Sequence, residues 1–446
     1  MVVSLTAGFL FCRKGGQMML STEQINNLLE VEESYQASFK LAEILNDRDK
    51  CIKLFDSFLR LEQDLSFDWF TDYFQEEHSN RKDKKQDFTP KGVTDLASKL
   101  LGKSESNADI CAGTGGLTIK RWTQNRHAQF YCEEYSDRAM PFLLFNLMIR
   151  NVNGIVVHGD ALTQEHKHVY KLVSGDRFSE LEELDSLPKF IADTVIMNPP
   201  YSLPWDPQKE MLTGLFAEIG VLPPKAKADY AFLIRGLEQL SDSGTQSLIL
   251  PHGVLFRGNA EGKIRQWLIE HNYLDAVIGL PEKVFLNTDI PTTILMLKKN
   301  RDRRDVLFID ASKQFRKDKA HNIIEAEHIS KILQTYQERT EMDKFSKLVT
   351  FETIKDNDFN LNIPRYVDTF EPEPVKPLDD VLADMRELDR AIKMSGQELA
   401  TMMTELRGTN ERADQEIKRM TSYWVDKYGI NKQRSQSKRG EQLSLL

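Results

Sequence analysis

Asp109-Ile110-Cys111-Ala112-Gly113-Thr114-Gly115-Gly116 is the stretch on which the fold turns. An apolar strand runs into glycines, and a helix opens at Leu117. Glycine lets a backbone turn tightly and approach a ligand with no Cβ in the way. The pattern is GxGG, not the GxGxxG of dinucleotide binders. Alone, it reads equally as a plain turn between strand and helix.

Its surroundings carry more. Residues 87–312 alternate short apolar strands with helical segments. Strands are expected at 107–111, 128–133, 154–158, 191–197, 245–250, 274–279, 292–298 and 306–310, with amphipathic stretches at 136–150, 228–240 and 259–271. Such alternation predicts an α/β fold with a doubly wound, mostly parallel sheet. Ligands in such sheets sit at the carboxyl ends of the strands. The strand after the glycine loop ends in Tyr131-Cys132-Glu133-Glu134. Glu134 is the expected acceptor for ribose hydroxyls, because Glu133 points to the opposite face of the strand. The next strand ends in His158-Gly159-Asp160, where Asp160 is placed to accept from an adenine amino group. Singly, each acid reads as a cap or a solvated turn residue. Together, three consecutive strand ends describe a nucleoside-type cofactor site, with Asp109, Gly113, Gly115, Gly116, Glu134 and Asp160 as its residues.

The sharpest signal is Val195-Ile196-Met197-Asn198-Pro199-Pro200-Tyr201. An apolar strand ends in Asn, two prolines fix the backbone, and an aromatic is presented. An exocyclic amine on a planar ring is a poor nucleophile, because its lone pair is delocalised. Two acceptors, the Asn198 side-chain oxygen and the Pro199 carbonyl, would hold both amine protons and draw the nitrogen toward tetrahedral geometry. Tyr201 would stack on the ring, as aromatics do with extruded bases. Asn198, Pro199, Pro200 and Tyr201 are therefore the expected catalytic residues.

These motifs resemble those of the modification (M) subunits of type I restriction–modification systems, which are N6-adenine DNA methyltransferases. Asp87-Phe88-Thr89-Pro90 resembles the family's segment beside the methionine end of the cofactor, so Phe88, Thr89 and Pro90 join the expected cofactor residues. Further blocks agree: Lys227 to Phe232, Leu250 to Arg257, Ala276 to Pro281, Thr288 to Thr292 and Asn360 to Arg365. Cys132 and Glu133 depart from the small or amide residues expected before the acid. The resemblance runs from about residue 20 to 420. It implies S-adenosyl-L-methionine as cofactor, no metal, and double-stranded DNA as substrate. It also implies a separate specificity (S) subunit and two M subunits for each S; this chain has no helicase P-loop, so restriction by a restriction (R) subunit, if any, belongs to another chain. The implied fold is a Rossmann-like class I methyltransferase sheet with a reversed strand near its end, an N-terminal helical domain and C-terminal helices. The alternatives are the same chemistry on protein glutamine or RNA, because Asn-Pro-Pro-Tyr occurs there too, or a non-catalytic scaffold that binds cofactor and partner.

Organisation follows from composition. The expected regions are a helical domain at 1–82, a methyltransferase domain at 83–363, a Pro-rich linker at 364–377, a helical docking region at 378–428 and a basic tail at 429–446. Leu378, Met385, Ile392, Leu399 and Leu406 sit seven apart, with Val381, Leu388 and Met402 on a second seam. That heptad reads as a helix of a bundle within the chain or as a helix for a partner. Arg81 to Lys85 reads as a solvated linker or a DNA contact. Gln442-Leu443-Ser444-Leu445-Leu446 resembles the short motif by which bacterial proteins bind the DNA sliding clamp; the default is a free end.

The chain has 446 residues, 59 Lys and Arg against 68 Asp and Glu, and a net charge of −9. That excludes disordered, collagenous and disulfide-scaffold classes, and argues against solitary DNA binding driven by the phosphate backbone. The four cysteines form no zinc-spaced cluster, which fits a reducing cytosol, and the resemblance implies a bacterial or phage-encoded protein. No stretch approaches a membrane span. Val2 to Cys12 is too short and lacks a basic start for a signal peptide; a start near Met18 or Met19 would let Ser21 open the first helix as a capping box.

Overall fold

The computed structural model describes residues 20–74, 89–285, 289–319, 321–369 and 376–429, together with the backbone of a small hairpin at Arg13–Lys14 and Gln17–Met18. Phe88, the run from Arg81 to Lys85, Thr288 and the stretch from Gln442 to Leu446 lie outside the described residues. The chain divides into two compact units, Met1–Phe370 and Glu371–Leu446.

The first unit is built on an 11-stranded sheet. In chain order its strands are β1 (Ser106–Asp109), β2 (Gln129–Glu134), β3 (Asn153–Asp160), β4 (Glu165–Val173), β5 (Glu180–Leu184), β6 (Ala192–Met197), β7 (Leu240–Pro251), β8 (Leu274–Gly279), β9 (Thr292–Lys298), β10 (Val306–Asp310) and β11 (Ser346–Val349). Across the sheet the order is β11-β10-β8-β9-β7-β6-β1-β2-β3-β4-β5. The run from β3 through β1 to β7 is parallel. Strand β9 is reversed between β7 and β8. This is the expected sheet, with its reversed strand. From β1 the strand order runs first one way, to β2 and β3, and then the other, to β6 and β7, and ligands in such sheets sit at the carboxyl ends of the strands beside this switch. Sequence reading missed β4, β5 and β11. The first two form an antiparallel hairpin at one edge, in place of a crossover helix between β3 and β6.

Strand side chains alternate between two apolar layers. Ala276 and Ile278 of β8 face one layer, and Leu274 and Val277 the other. The first layer is covered by α4 (Lys91–Leu100) and α10 (Ala326–Glu338), the second by α8 (Asp229–Glu238), α9 (Asn259–Glu270) and α11 (Phe351–Asp356). Helix α5 (Gly116–Gln124) follows the glycine loop, and the short α7 (Gly214–Ile219) adds Phe216 to the second layer.

The N-terminal helices α1 (Thr22–Leu29), α2 (Ala37–Leu45) and α3 (Arg48–Leu61) share a third apolar cluster with β2, β3 and α6 (Met140–Ile149). The capping box at the start of α1 is present: Ser21 Oγ accepts from Gln24 N at 3.2 Å, and Ser21 N donates to Gln24 Oε1 at 2.8 Å. Helix α6 corrects one expectation. The stretch 136–150 reads as amphipathic, yet every residue of Met140–Ile149 is buried. One face of α6 meets the sheet. The other meets aromatic side chains of α3 and of the segment that follows it, with Phe58–Phe145 centroids 4.7 Å apart and Phe70–Phe142 4.8 Å apart. A helix covered on all sides has no polar face to show.

The second unit is a helical hairpin of α12 (Leu378–Glu405) and α13 (Glu411–Tyr428). The helices run antiparallel: Gln397 Nε2 donates to Tyr428 O at 3.0 Å, and Thr421 Oγ1 to Met403 O at 3.2 Å. Gly396, Ala400 and Met403 are its buried residues on α12. The heptad residues Leu378, Met385, Leu388, Ile392, Leu399 and Met402 are exposed. Among the described residues, no helix is long and apolar enough to cross a membrane.

Candidate functional site

The carboxyl edge of β1, β2, β3 and β6 gathers the expected residues. After β1 the chain takes a left-handed step at Gly113 (φ 57°) and another at Gly115 (φ 98°), where L side chains rarely sit. A Cβ on Gly113 would meet nothing within 4 Å, so this turn faces open space. A Cβ on Gly115 would lie 3.0 Å from Leu143 of α6. One glycine therefore leaves the turn open, and the other makes room for helix packing.

Around that loop the acids are engaged. Asp109 is 2 % exposed and accepts from Cys111 N and from Thr118 Oγ1, each at 3.2 Å. Burial pushes its carboxyl up to about 7. Glu134 accepts from Gly113 N at 2.8 Å and from Ser136 N at 2.7 Å, fastening the end of β2 to the glycine loop. Burial raises its pKa, and these amide donors oppose the rise. Asp160 Oδ1 accepts from Leu162 N at 2.8 Å and ends β3 beside them. Glu133 points to the opposite face. Tyr131 Oη donates to it at 3.2 Å, and its other oxygen is buried without a partner beside a cavity of about 310 Å³ that Arg235 also lines. Burial pushes Glu133 up to about 7.

Sequence reading missed the brace behind the loop. Asp68, between α3 and α4, accepts from Thr114 Oγ1 and from Asn146 Nδ2 (2.7 Å), and Asn146 also donates to Thr114 O at 2.8 Å. Arg150 donates to Asn146 Oδ1 at 2.9 Å. The signal available was Asn146 itself, an amide inside the apolar run Met140–Ile149. A buried amide in such a run needs partners, and these are its partners.

The turn after β6 is built differently. Asn198 Nδ2 donates to Thr89 Oγ1 at 2.9 Å. Thr89 is itself fixed, since Thr94 Oγ1 donates to the carbonyls of Thr89 and Pro90, each at 3.1 Å. Thr94 was not singled out in the sequence. Asn198 Oδ1 is buried and has no hydrogen-bond partner. Pro199 is buried and Pro200 partly so. The Tyr201 ring packs edge-on against Phe285, centroids 5.7 Å apart and planes at 79°. Thus Thr89, Pro90 and Asn198 meet in one place, while Phe88 lies outside the described residues.

The family described as N-6 DNA Methylase matches residues 66–374. The chain belongs to the N-6 DNA methylase family. The match begins just ahead of Asp68 and spans the whole sheet. The methyltransferase subunit of a type I restriction-modification system from Streptococcus thermophilus is 32% identical, with a TM-score of 0.60 over 76% of this chain and 82% of that one. The methylase subunit of the type I restriction enzyme MpnII from Mycoplasma pneumoniae is 30% identical over 300 residues, 63% of this chain and 53% of that one. The MjaVIII methylase subunit from Methanocaldococcus jannaschii is 27% identical over 343 residues, 72% and 56% of the two chains. The chain spans about half the length of these curated relatives. Family membership agrees with the resemblance carried by the motifs, and the shared fold agrees with the expected Rossmann-like methyltransferase sheet.

Proposed function

We propose that this chain methylates N6 of an adenine flipped out of double-stranded DNA, with S-adenosyl-L-methionine as methyl donor and as the M subunit of a type I restriction–modification complex. The observation that carries the reading is Asn198: its nitrogen is held by Thr89 while its oxygen is buried and unpartnered. An orphaned buried acceptor is costly unless a ligand supplies the donor. An exocyclic amine is such a donor.

The residues present fit the cofactor. Gly113 offers an open turn with no side chain to obstruct it, and acids end both β2 and β3. Gly113, Gly115, Gly116, Asp109, Glu134 and Asp160 would hold its nucleoside end, and Phe88, Thr89 and Pro90 its methionine end. When bound, the sulfonium supplies an activated methyl group, so no strong base is needed. Asn198 Oδ1 and the Pro199 carbonyl accept hydrogen bonds from the two amine N–H groups and aim the nitrogen lone pair, and the proton that the methylated nitrogen must shed passes to water. Pro200 keeps the turn in one conformation, and Tyr201 supplies a stacking face for the extruded base. Catalysis then rests on orientation and on dipoles fixed in advance.

The exposed heptad seam of α12 supports docking of a specificity subunit, which reads the target and supplies the affinity that a chain of net charge −9 lacks. We propose two such chains per specificity subunit, with restriction carried by a third kind of subunit. Asn198→Ala, assayed with the specificity subunit, should abolish methyl transfer to DNA and leave cofactor affinity within twofold of the parent by calorimetry. Near-parental transfer would overturn the assignment.

A further inference from the structure

Two sequence blocks, Lys227 to Phe232 and Leu250 to Arg257, have no role in the chemistry above. The structure brings both against the residue that follows Tyr201. Ser202 sits in the left-handed region at φ 51°, a conformation that a serine does not hold unaided. Its backbone N–H donates to Asp229 Oδ1 at 2.9 Å. Asp229 is fully buried, and its other oxygen accepts from Arg257 Nη2 at 2.5 Å. Arg257 is gripped in turn by Glu261, with Nε to Oε2 at 2.6 Å and Nη2 to Oε1 at 2.8 Å.

These groups come from separate segments. Asp229 opens α8, Arg257 follows β7, and Glu261 stands in the first turn of α9. An acid at the start of a helix is ordinary. Here, though, it is stripped of water, and one of its oxygens is committed to a strained amide outside its own helix. Arg257 matches its charge, and the fork of Glu261 leaves Arg257 little freedom to swing away. Lys227 adds a second tie, donating from Nζ to Ser202 Oγ at 3.3 Å.

We infer that the chain Glu261–Arg257–Asp229 is a positioning device: it locks Ser202 in its left-handed conformation and so sets where Tyr201 presents its ring. This rests on the reading of Asn198 to Tyr201 as the catalytic turn. None of the three touches the reacting atoms. They act through the backbone of Ser202. A displacement of about 1 Å at a reacting group is worth on the order of a hundredfold in rate.

The test uses the full chain with its specificity subunit. Three quantities are measured: kcat for methyl transfer, cofactor Kd, and hydrogen exchange of the Ser202 amide. Asp229→Ala should lower kcat about a hundredfold, leave cofactor Kd within twofold, and release Ser202 to fast exchange. Asp229→Asn keeps an oxygen for that amide, so protection should persist and kcat fall about tenfold at most. If Asp229→Ala fails to fold, Arg257→Lys serves: a single ammonium cannot bridge Asp229 and Glu261 as the fork does, and the same split should appear in weaker form. Unchanged kcat with a freely exchanging Ser202 amide would overturn the inference. So would a fall in kcat matched by equal losses in cofactor affinity, which marks a general structural role. If the parent complex transfers no methyl to adenine, the proposed function fails, and the exchange measurement still judges the anchor.

Discussion

The glycine loop and the Asn198 turn lie on the same sheet edge and are finished in opposite ways. Around the loop the acids and Thr114 are tied to protein partners: Asp109 accepts from Cys111 and Thr118, Glu134 from Gly113 and Ser136, and Asp68 and Asn146 bind Thr114. In the turn, the side chain of Asn198 is anchored on one side only. A binding surface gains from rigidity before its ligand arrives. A catalytic amide must keep an acceptor open for a group present only during reaction. The contrast is one of completeness of hydrogen bonding, and under the proposed function it separates the half that holds the cofactor from the half that acts on the base.

The sharpest way to break that contrast is to alter one member of each half. Asn198→Ala should cost at least about 10³-fold in kcat, with cofactor affinity intact. Asp68→Ala should do the reverse. Cofactor Kd should rise about tenfold and unfolding free energy should fall by about 3 kcal/mol, from leaving Thr114 and Asn146 buried without their acceptor. Its kcat at saturating cofactor should stay near the parent's. Calorimetry and denaturant titration separate the two, and parallel losses in both variants would erase the distinction.

Thr89→Val tests the anchor on Asn198. Valine keeps the shape and removes the oxygen to which Nδ2 donates, so kcat should fall about tenfold while the melting temperature moves little. A fall in cofactor affinity with kcat unchanged would leave Thr89 a cofactor residue only and remove it as the anchor of Asn198.

The smallest effect concerns Glu133, which is turned away from both. Its folded pKa, about 7, lies above the ordinary carboxyl value, so the folded state keeps its proton longer than the unfolded chain. The stability linked to this group is present below its unfolded pKa and lost as pH rises through about 7. Glu133→Gln should therefore match the parent near pH 4 and exceed it increasingly toward pH 7.5, by a few degrees in Tm. A constant offset across that range would remove Glu133 from the pH response.

Much of this site was legible because its signals are local. Glycines at Gly113 and Gly115, acids ending two strands, and Asn-Pro-Pro-Tyr closing a third are each spelled in consecutive residues. The predicted strands fall within a few residues of β1, β2, β3 and β6 to β10. What was missed is either weakly patterned or non-local. Strands β4 and β5 carry Glu165, His166, Lys167, Glu180 and Glu182 at the sheet's edge, where solvent reaches them and no apolar run forms. Asp68 and Asn146 stand 78 residues apart, and nothing near either one names the other. Helix α6 was misread because the helices that cover its second face come from a distant part of the chain.

The bond from Asp68 to Thr114 spans 46 residues and joins the segment after α3 to the glycine loop. In engineering terms, the N-terminal region through Asp68 is therefore not an appendage to be trimmed away. The loop reaches its finished form only after Asn146 has been synthesised. A chain begun at residue 83 would carry all the recognisable motifs and lack the wall against which the glycine loop is set.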